Sequence, residues 1–304
     1  MKKVIKSLLM IFVVAFMSLV LTGCNNDEKE TTKNNEQPKE EEKEKPKVKI
    51  VDVDSDERPI AVMINNNTAV WGYQAGVQDA YITYEIIVEG GITRMMAVFK
   101  GKDTERVASV RSSRHYFLDY VMENDALYAH IGWSPRAQSD ISSLKIPAIN
   151  ANNSSIFTWD NSLTKIAKEH RAYTSLGKVK ETASKKGYSL TTDKKLLLEY
   201  SVQPVDLASV EGAIAANTVK IPYSRSHVTS FVYDAENKVY KRYQNSLEHK
   251  DYVTGLQYTA KNIITYKVRN FNLNDGYAGG RQDLSNLGSG EGYYISEGYA
   301  IPIT

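Results

Sequence analysis

The residues best suited to chemistry are crowded into one stretch of the chain, from Tyr84 to His130. Its candidate acid or base residues are Glu85, Glu89 and His130. Its candidate anion-binding residues are Arg94, Arg111, Ser112 and Arg114. Arginines at a helix N-terminus suit phosphate or carboxylate, and paired carboxylates can act as acid and base. The stretch therefore predicts either a site for an anionic molecule or an ion-pair network.

The two alternatives differ in what the arginines contact. Glu85 and Glu89 are four apart on a predicted strand, Ala80–Val88, and so should share one face of it. In the site hypothesis, arginines that flank the start of a helix hold an anion and one glutamate is a base. In the structural hypothesis, the commoner outcome in proteins, the same glutamates pair with the arginines and close the sheet.

His130 and Ser134 do not form a recognisable catalytic pair. His130 ends a predicted strand and Ser134 precedes Pro135, but the chain has no G-x-S-x-G around this serine. A buried, hydrogen-bonded His130 and a helix N-cap at Ser134 are the favoured roles. The five histidines are scattered without ligand spacing, so the sequence predicts no metal site and no cofactor.

The N-terminus indicates export and lipid attachment. Three lysines precede an apolar run, Leu8–Leu21, which is the length of a signal-peptide core and short for a membrane span. Thr22 and Gly23 then precede Cys24, the one cysteine in the sequence, as in a lipobox. We predict a signal peptide over 1–23, a lipid on Cys24 and a place on the outer face of the cytoplasmic membrane. The alternative is an uncleaved anchor with a chance cysteine.

The segment 24–49 predicts a disordered tether, because it is almost free of apolar residues and its charges nearly balance. The chain has 38 basic and 36 acidic residues, and the signal peptide removes three lysines, leaving 35 against 36. A near-neutral mature protein does not indicate a nucleic-acid partner. With no further cysteine, its fold rests on its core rather than on disulfides.

The rest of the chain predicts an α+β protein in two regions. Residues 50–195 alternate apolar runs with helical patterns and predict a mixed α/β region, with a hairpin at Gly90-Gly91 and a helix over Ser134–Leu144. A short helix is also predicted over Ser162–His170. Residues 196–304 alternate β-branched and aromatic residues and predict antiparallel strands, with a hairpin turn at Gly288–Gly292. The apolar end of the chain predicts truncation or an edge strand, and truncation is favoured.

An ordered set of motifs resembles the YerB-like lipoproteins of Gram-positive bacteria. The motifs are Arg58-Pro59-x-Ala61-Val62-Met63, Tyr84-Glu85, Glu89-Gly90-Gly91-x-Thr93-Arg94, Val110-Arg111-Ser112-Ser113-Arg114 and His130-x-Gly132-x-Ser134. The resemblance runs from Arg58 to Thr304 and implies two joined domains of unknown function, with a chain that continues past Thr304. It implies no reaction, cofactor or catalytic residue.

Two departures from the family pattern are visible. Arg171–Thr174 lacks the proline, histidine and asparagine of the family's Arg-x-Ala-Pro-His-Asn-Leu-Tyr-Thr stretch, and Ala108-Ser109 replaces Gly-Pro. We expect a non-enzymatic binding or scaffolding module whose partner is an envelope protein or a cell-wall ligand. The alternative is an enzyme acting on an anionic envelope substrate.

Overall fold

The computed structural model describes residues 48–151 and 155–304. The predicted signal peptide, Cys24 and nearly all of the predicted tether lie outside these ranges. The described residues belong to one compact unit. Within them, no helix is both long and apolar enough to span a bilayer.

The first region contains eight strands and three α-helices within the described ranges. The strands are β1 Ile60–Asn66, β2 Ile82–Ile87, β3 Thr93–Phe99, β4 Val107–Ala108, β5 Leu127–His130, β6 Ala148–Asn150, β7 Thr158–Trp159 and β8 Ala172–Thr174. The helices are α1 Leu118–Glu123, α2 Pro135–Ser143 and α3 Leu176–Lys185. Short 3-10 turns cover Thr68–Val70, Val77–Asp79, Glu89–Gly91, His115–Phe117 and Lys168–His170.

The main sheet has the order β2-β3-β1-β5-β6. Strands β2, β3 and β1 are antiparallel, whereas β1, β5 and β6 are parallel, so the carboxyl ends of these last three meet at one edge. Strand β1 is buried throughout because α1 and α2 cover one face of the sheet and α3 covers the other. This two-sided burial explains its continuous apolar sequence.

The second region is built almost entirely from antiparallel strands. They are β9 Ile214–Ala215, β10 Thr218–Ser224, β11 His227–Asp234, β12 Val239–Gln244, β13 Leu247–Glu248, β14 Thr259–Ala260, β15 Asn262–Tyr266, β16 Arg269–Asn272, β17 Gln282–Ser285, β18 Gly292–Ser296 and β19 Tyr299–Ile303. Two sheets, β10-β11-β12-β13 with β14 and β15-β18-β19-β9, share an apolar core around Phe231, Tyr240 and Ile295. Together the two regions confirm the predicted α+β class.

Three local predictions can be compared with the elements. The hairpin at Gly90-Gly91 is confirmed, and both glycines have positive φ angles there. The helix over Ser162–His170 is wrong, since only its last three residues form a 3-10 turn. The turn at Gly288–Gly292 is also wrong as a hairpin, because it joins β17 to β18 and these strands lie in different sheets.

Candidate functional site

Glu85 lies at the contact between the two regions, where β2 meets the sheet of β10–β14. Its side chain is 8% exposed, and one carboxylate oxygen accepts a hydrogen bond from Arg242 Nη2 at 2.8 Å. The other oxygen accepts from the hydroxyls of Thr93 at 2.7 Å and Thr229 at 2.8 Å, and from Asn66 Nδ2 at 3.0 Å. Both oxygens are therefore occupied by protein donors.

This environment keeps Glu85 ionised. Burial by itself would raise the pKa of Glu85, but the charge of Arg242 and the hydrogen bonds from Thr93 and Arg242 hold that pKa far below its usual range. A carboxylate held in this way is a weak base and is shielded from a substrate. The geometry gives Glu85 a joining role between the two regions.

Further polar contacts continue this joint between the regions. Arg242 Nε donates to His249 Nδ1 at 2.9 Å, and His249 Nε2 contacts Gln74 of the first region. Asp251 accepts from the backbone N–H of Gly76 at 2.6 Å. The pairs that cross between the regions, His249 with Gln74 and Asp251 with Gly76, are each 175 residues apart in the chain, so local sequence patterns give no signal that they meet.

Glu89 belongs to a different cluster from Glu85. Strand β2 ends at Ile87, so Glu89 lies in the following 3-10 turn and the prediction that both glutamates share one strand face is wrong. Arg114 donates from Nε at 2.5 Å and from Nη2 at 3.0 Å to the two Glu89 oxygens. Arg94 Nη2 lies 3.9 Å from the same carboxylate, and Arg94 Nη1 donates to the Ser112 carbonyl at 2.7 Å.

The charges in this arginine cluster are not balanced. Burial lowers the pKa of Arg94 to about 9, with repulsion from Arg114 adding to the effect and Glu89 opposing it. Burial would raise the pKa of Glu89, but the hydrogen bond and charge of Arg114 lower it overall. One carboxylate thus serves two buried guanidinium groups, and Arg111 adds a third positive charge nearby.

Arg111 is half-buried at the edge where the parallel strands end. Its backbone N–H donates to the Met63 carbonyl at 2.9 Å, and its carbonyl accepts from Ile131 N–H at 3.0 Å, which fixes it between the ends of β1 and β5. Side-chain Nη1 donates to the Glu169 carbonyl at 3.2 Å. Across the described ranges, Nε and Nη2 of Arg111 have no protein acceptor. Burial, only partly opposed by Glu169, lowers the pKa of this guanidinium.

His130 is fully buried at the end of β5. Its Nδ1 donates to the Gly132 carbonyl at 2.8 Å, so Nε2 carries the lone pair, and this atom is buried without a partner in the described structure. Burial lowers the pKa of His130 to about 4, although the Gly132 carbonyl opposes the shift. The N-cap prediction for Ser134 is confirmed, since its hydroxyl accepts from Ala137 N–H at 3.2 Å. His130 is buried as predicted, but only one of its nitrogens is hydrogen-bonded.

The sequence-predicted residues therefore separate into four groups. Glu85 joins the two regions, Glu89 pairs with Arg114 beside Arg94, and His130 lies under α2 with no open face. Arg111 and the adjacent Ser112 form the fourth group, and both are partly exposed. Among the candidate residues, Arg111 combines partial exposure with unused hydrogen-bond donors.

Two family models match this chain, one after the other. Residues 48–189 match the "Protein of unknown function (DUF3048) N-terminal domain", and residues 219–304 match the corresponding C-terminal domain. The motif-bearing strands and the Glu85–Arg242 joint fall within these two matches. The chain belongs to the YerB-like family.

The relatives agree with this assignment. The YerB-like chain described here is 29% identical to a Bacillus subtilis protein named "Putative lipoprotein YerB" over 252 residues, which is 81% of this chain and 72% of the relative. It is also similar to the crystal structure of the YerB protein from Bacillus subtilis, with a TM-score of 0.69 and 27% identity over 81% of this chain and 80% of that one. Both regions of this YerB-like protein are thus domains of unknown function.

Proposed function

We propose that this protein is a lipid-anchored, extracytoplasmic binding module of the cell envelope, and that it binds an anionic group at Arg111. The observation that carries the proposal is the half-buried Arg111 guanidinium, of which only Nη1 has an acceptor among residues 48–151 and 155–304. It lies beside Arg94 and Arg114, which share the single carboxylate of Glu89.

An anion would relieve this imbalance of charge. Partly buried positive charges that lack full compensation lose stability through desolvation, which is why the pKa values of Arg94 and Arg111 are both lowered. A hydrogen bond to a charged partner contributes about 1.5–3 kcal/mol, so one good contact at Arg111 changes affinity by roughly ten- to a hundredfold.

Binding is favoured over catalysis because the candidate bases are already engaged. Glu85 accepts hydrogen bonds from both regions, Glu89 is held by Arg114, and His130 is buried. An enzyme that uses one of these carboxylates as a base would first have to break its hydrogen bonds to buried partners. The arginine cluster can hold an anion without any such rearrangement.

Membrane attachment rests on the Cys24 lipobox and on similarity to a protein named as a lipoprotein. The predicted tether over 24–49 would connect the lipid to the folded unit, which would then meet an envelope protein or a cell-wall ligand near the membrane. Labelled palmitate should be incorporated by the wild type and not by Cys24→Ser, which should also appear in the medium.

Anion binding is tested by calorimetry on the full chain in non-ionic detergent, with inorganic phosphate and acetate as probes. Arg111→Gln should weaken binding of at least one probe tenfold or more. Lys185→Gln is the control, because Lys185 is an exposed lysine at the C-terminal end of α3. The chain after α3 contacts Arg58, which precedes β1, whereas Arg111 lies at the other end of β1. Binding that both variants leave unchanged would exclude Arg111 as the site.

A further inference from the structure

An open cleft of about 720 Å³ is lined in part by Glu169, the residue whose carbonyl accepts a hydrogen bond from Arg111 Nη1 at 3.2 Å. The cleft is lined by Phe157, Thr158, Trp159, Asn161, Lys168 and Glu169. Its volume lies in the range of small-molecule sites, which is about 300–1,000 Å³, and greatly exceeds that of one inorganic anion. The cleft therefore has room for a molecule larger than the anion that Arg111 would hold.

Arg111 is connected to the cleft through the 3-10 turn at Lys168–His170. The Glu169 carbonyl that accepts from Arg111 Nη1 belongs to a residue that lines the cleft. Two hydrogen bonds hold this turn in place: Ser109 Oγ donates to the His170 carbonyl at 2.6 Å, and His170 Nδ1 lies 2.9 Å from Asn65 Nδ2. The guanidinium and the cleft consequently keep a defined spacing.

Trp159 supplies an aromatic wall that cannot move freely. It is held in β7 opposite Ala172, packs against the apolar core and also lines the cleft. The C–H groups on one face of a sugar ring pack well on an indole, and the contact gains the free energy of apolar burial. The Thr158 hydroxyl and the exposed Asn161 amide add hydrogen-bonding groups suited to sugar hydroxyls.

The net positive charge around Arg111 and the cleft favours an acidic sugar over a neutral one. Five cations, Arg94, Arg106, Arg111, Arg114 and Lys168, compare with three carboxylates, Glu89, Asp160 and Glu169, and Arg106 is already paired with Asp160 at 2.6 Å. The Glu169 side chain is exposed to water, which screens its charge. The Glu89 carboxylate is already bound by Arg114.

We infer that the ligand is a saccharide bearing a phosphate or a carboxylate, with its ring on Trp159 and its anionic group between Arg111 and Lys168. This inference rests on the proposed function and names the ligand class of the same site. It gives the 3-10 turn a role as the link between the ring-binding and the anion-binding parts.

Calorimetry on the full chain in detergent tests the inference with matched probes. Glucose 1-phosphate is compared with inorganic phosphate, and glucuronate with acetate. At least one sugar acid should bind tenfold or more tightly than its matched simple anion. Trp159→Leu should remove that difference, and Arg111→Gln should weaken the binding of both the sugar acid and the simple anion.

The outcomes separate this inference from the proposed function. If the simple anions bind through Arg111 but no sugar acid binds more tightly, the saccharide inference is overturned and the proposed function stands. If a sugar acid binds more tightly and Trp159→Leu retains the difference, the placement on Trp159 is overturned. Absence of binding by every probe overturns both. Trp159→Phe keeps an aromatic ring against the core and should still bind the sugar acid more tightly than the simple anion. This variant therefore distinguishes loss of the ring contact from loss of folding.

Discussion

Replacement of Glu85 by glutamine tests whether the buried ion pair holds the two regions together. The side chains of Glu85 and Arg242 are 8% and 10% exposed, and their charged atoms lie 2.8 Å apart. Glutamine has nearly the same shape but leaves the guanidinium of Arg242 buried without a negative partner. Loss of one partner from a buried pair costs about 3–5 kcal/mol.

Urea unfolding of the full chain in non-ionic detergent at pH 7 measures this loss. Tryptophan fluorescence is a suitable probe, since the ring of Trp71 lies 5.5 Å from that of His227 at the joint. Glu181→Gln is the matched control, because Glu181 forms a solvent-exposed i,i+4 pair with Lys185 and its loss should leave the urea midpoint almost unchanged. A Glu85→Gln variant that unfolds like this control would refute the reasoning.

The pH dependence gives an independent check on the same pair. The pKa of Glu85 is lower in the folded protein than in the unfolded chain, where it is about 4.3. The stabilisation is therefore complete above that unfolded value and is lost as pH falls through the lower folded value. The stability difference between wild type and Glu85→Gln should shrink below about pH 4. A difference that is constant down to acid pH would contradict an ionised Glu85.

Three further predictions concern other parts of the fold. Between pH 6.5 and 4 the unfolded chain binds a proton at His130 and the folded protein does not, because burial lowers the folded pKa to about 4. This difference should lower the free energy of unfolding of the wild type by about 3 kcal/mol over that range. His130→Leu should lack this contribution in urea unfolding measured as a function of pH. Glu89→Gln should cost about 3 kcal/mol or more by leaving two buried guanidinium groups without a carboxylate, and a thermal shift of only a degree would argue against the cluster. Gly76→Ala should cost about 2 kcal/mol or more, since Gly76 has a φ of +76° and an added Cβ would lie 2.4 Å from the Arg106 carbonyl oxygen. Gly72→Ala is its control, as a Cβ there meets nothing within 4 Å, and equal melting temperatures for the two alanine variants would disprove the steric argument.

The sequence by itself determined the family, the α+β class and several local features. Ser134 before Pro135 is a complete N-cap signal in neighbouring residues, and Gly90-Gly91 between two apolar runs is a complete hairpin signal. Such features depend on contacts between residues close in the chain. The continuous apolar run of β1 is likewise a local signal, because a strand buried on both faces needs an apolar residue at nearly every position.

Only the tertiary structure decided what the charged residues do. Glu85 and Glu89 are four residues apart and have the same chemistry, yet one pairs with Arg242 and the other with Arg114. The difference arises because β2 ends between them and because the second region supplies Arg242 and Thr229 as hydrogen-bond donors to Glu85. Pairing of buried charges depends on which distant strand covers them, and no local pattern encodes that choice. For the same reason no local pattern predicts the cleft near Arg111, which forms because β7 and the 3-10 turn Lys168–His170 lie close to the ends of β1 and β5.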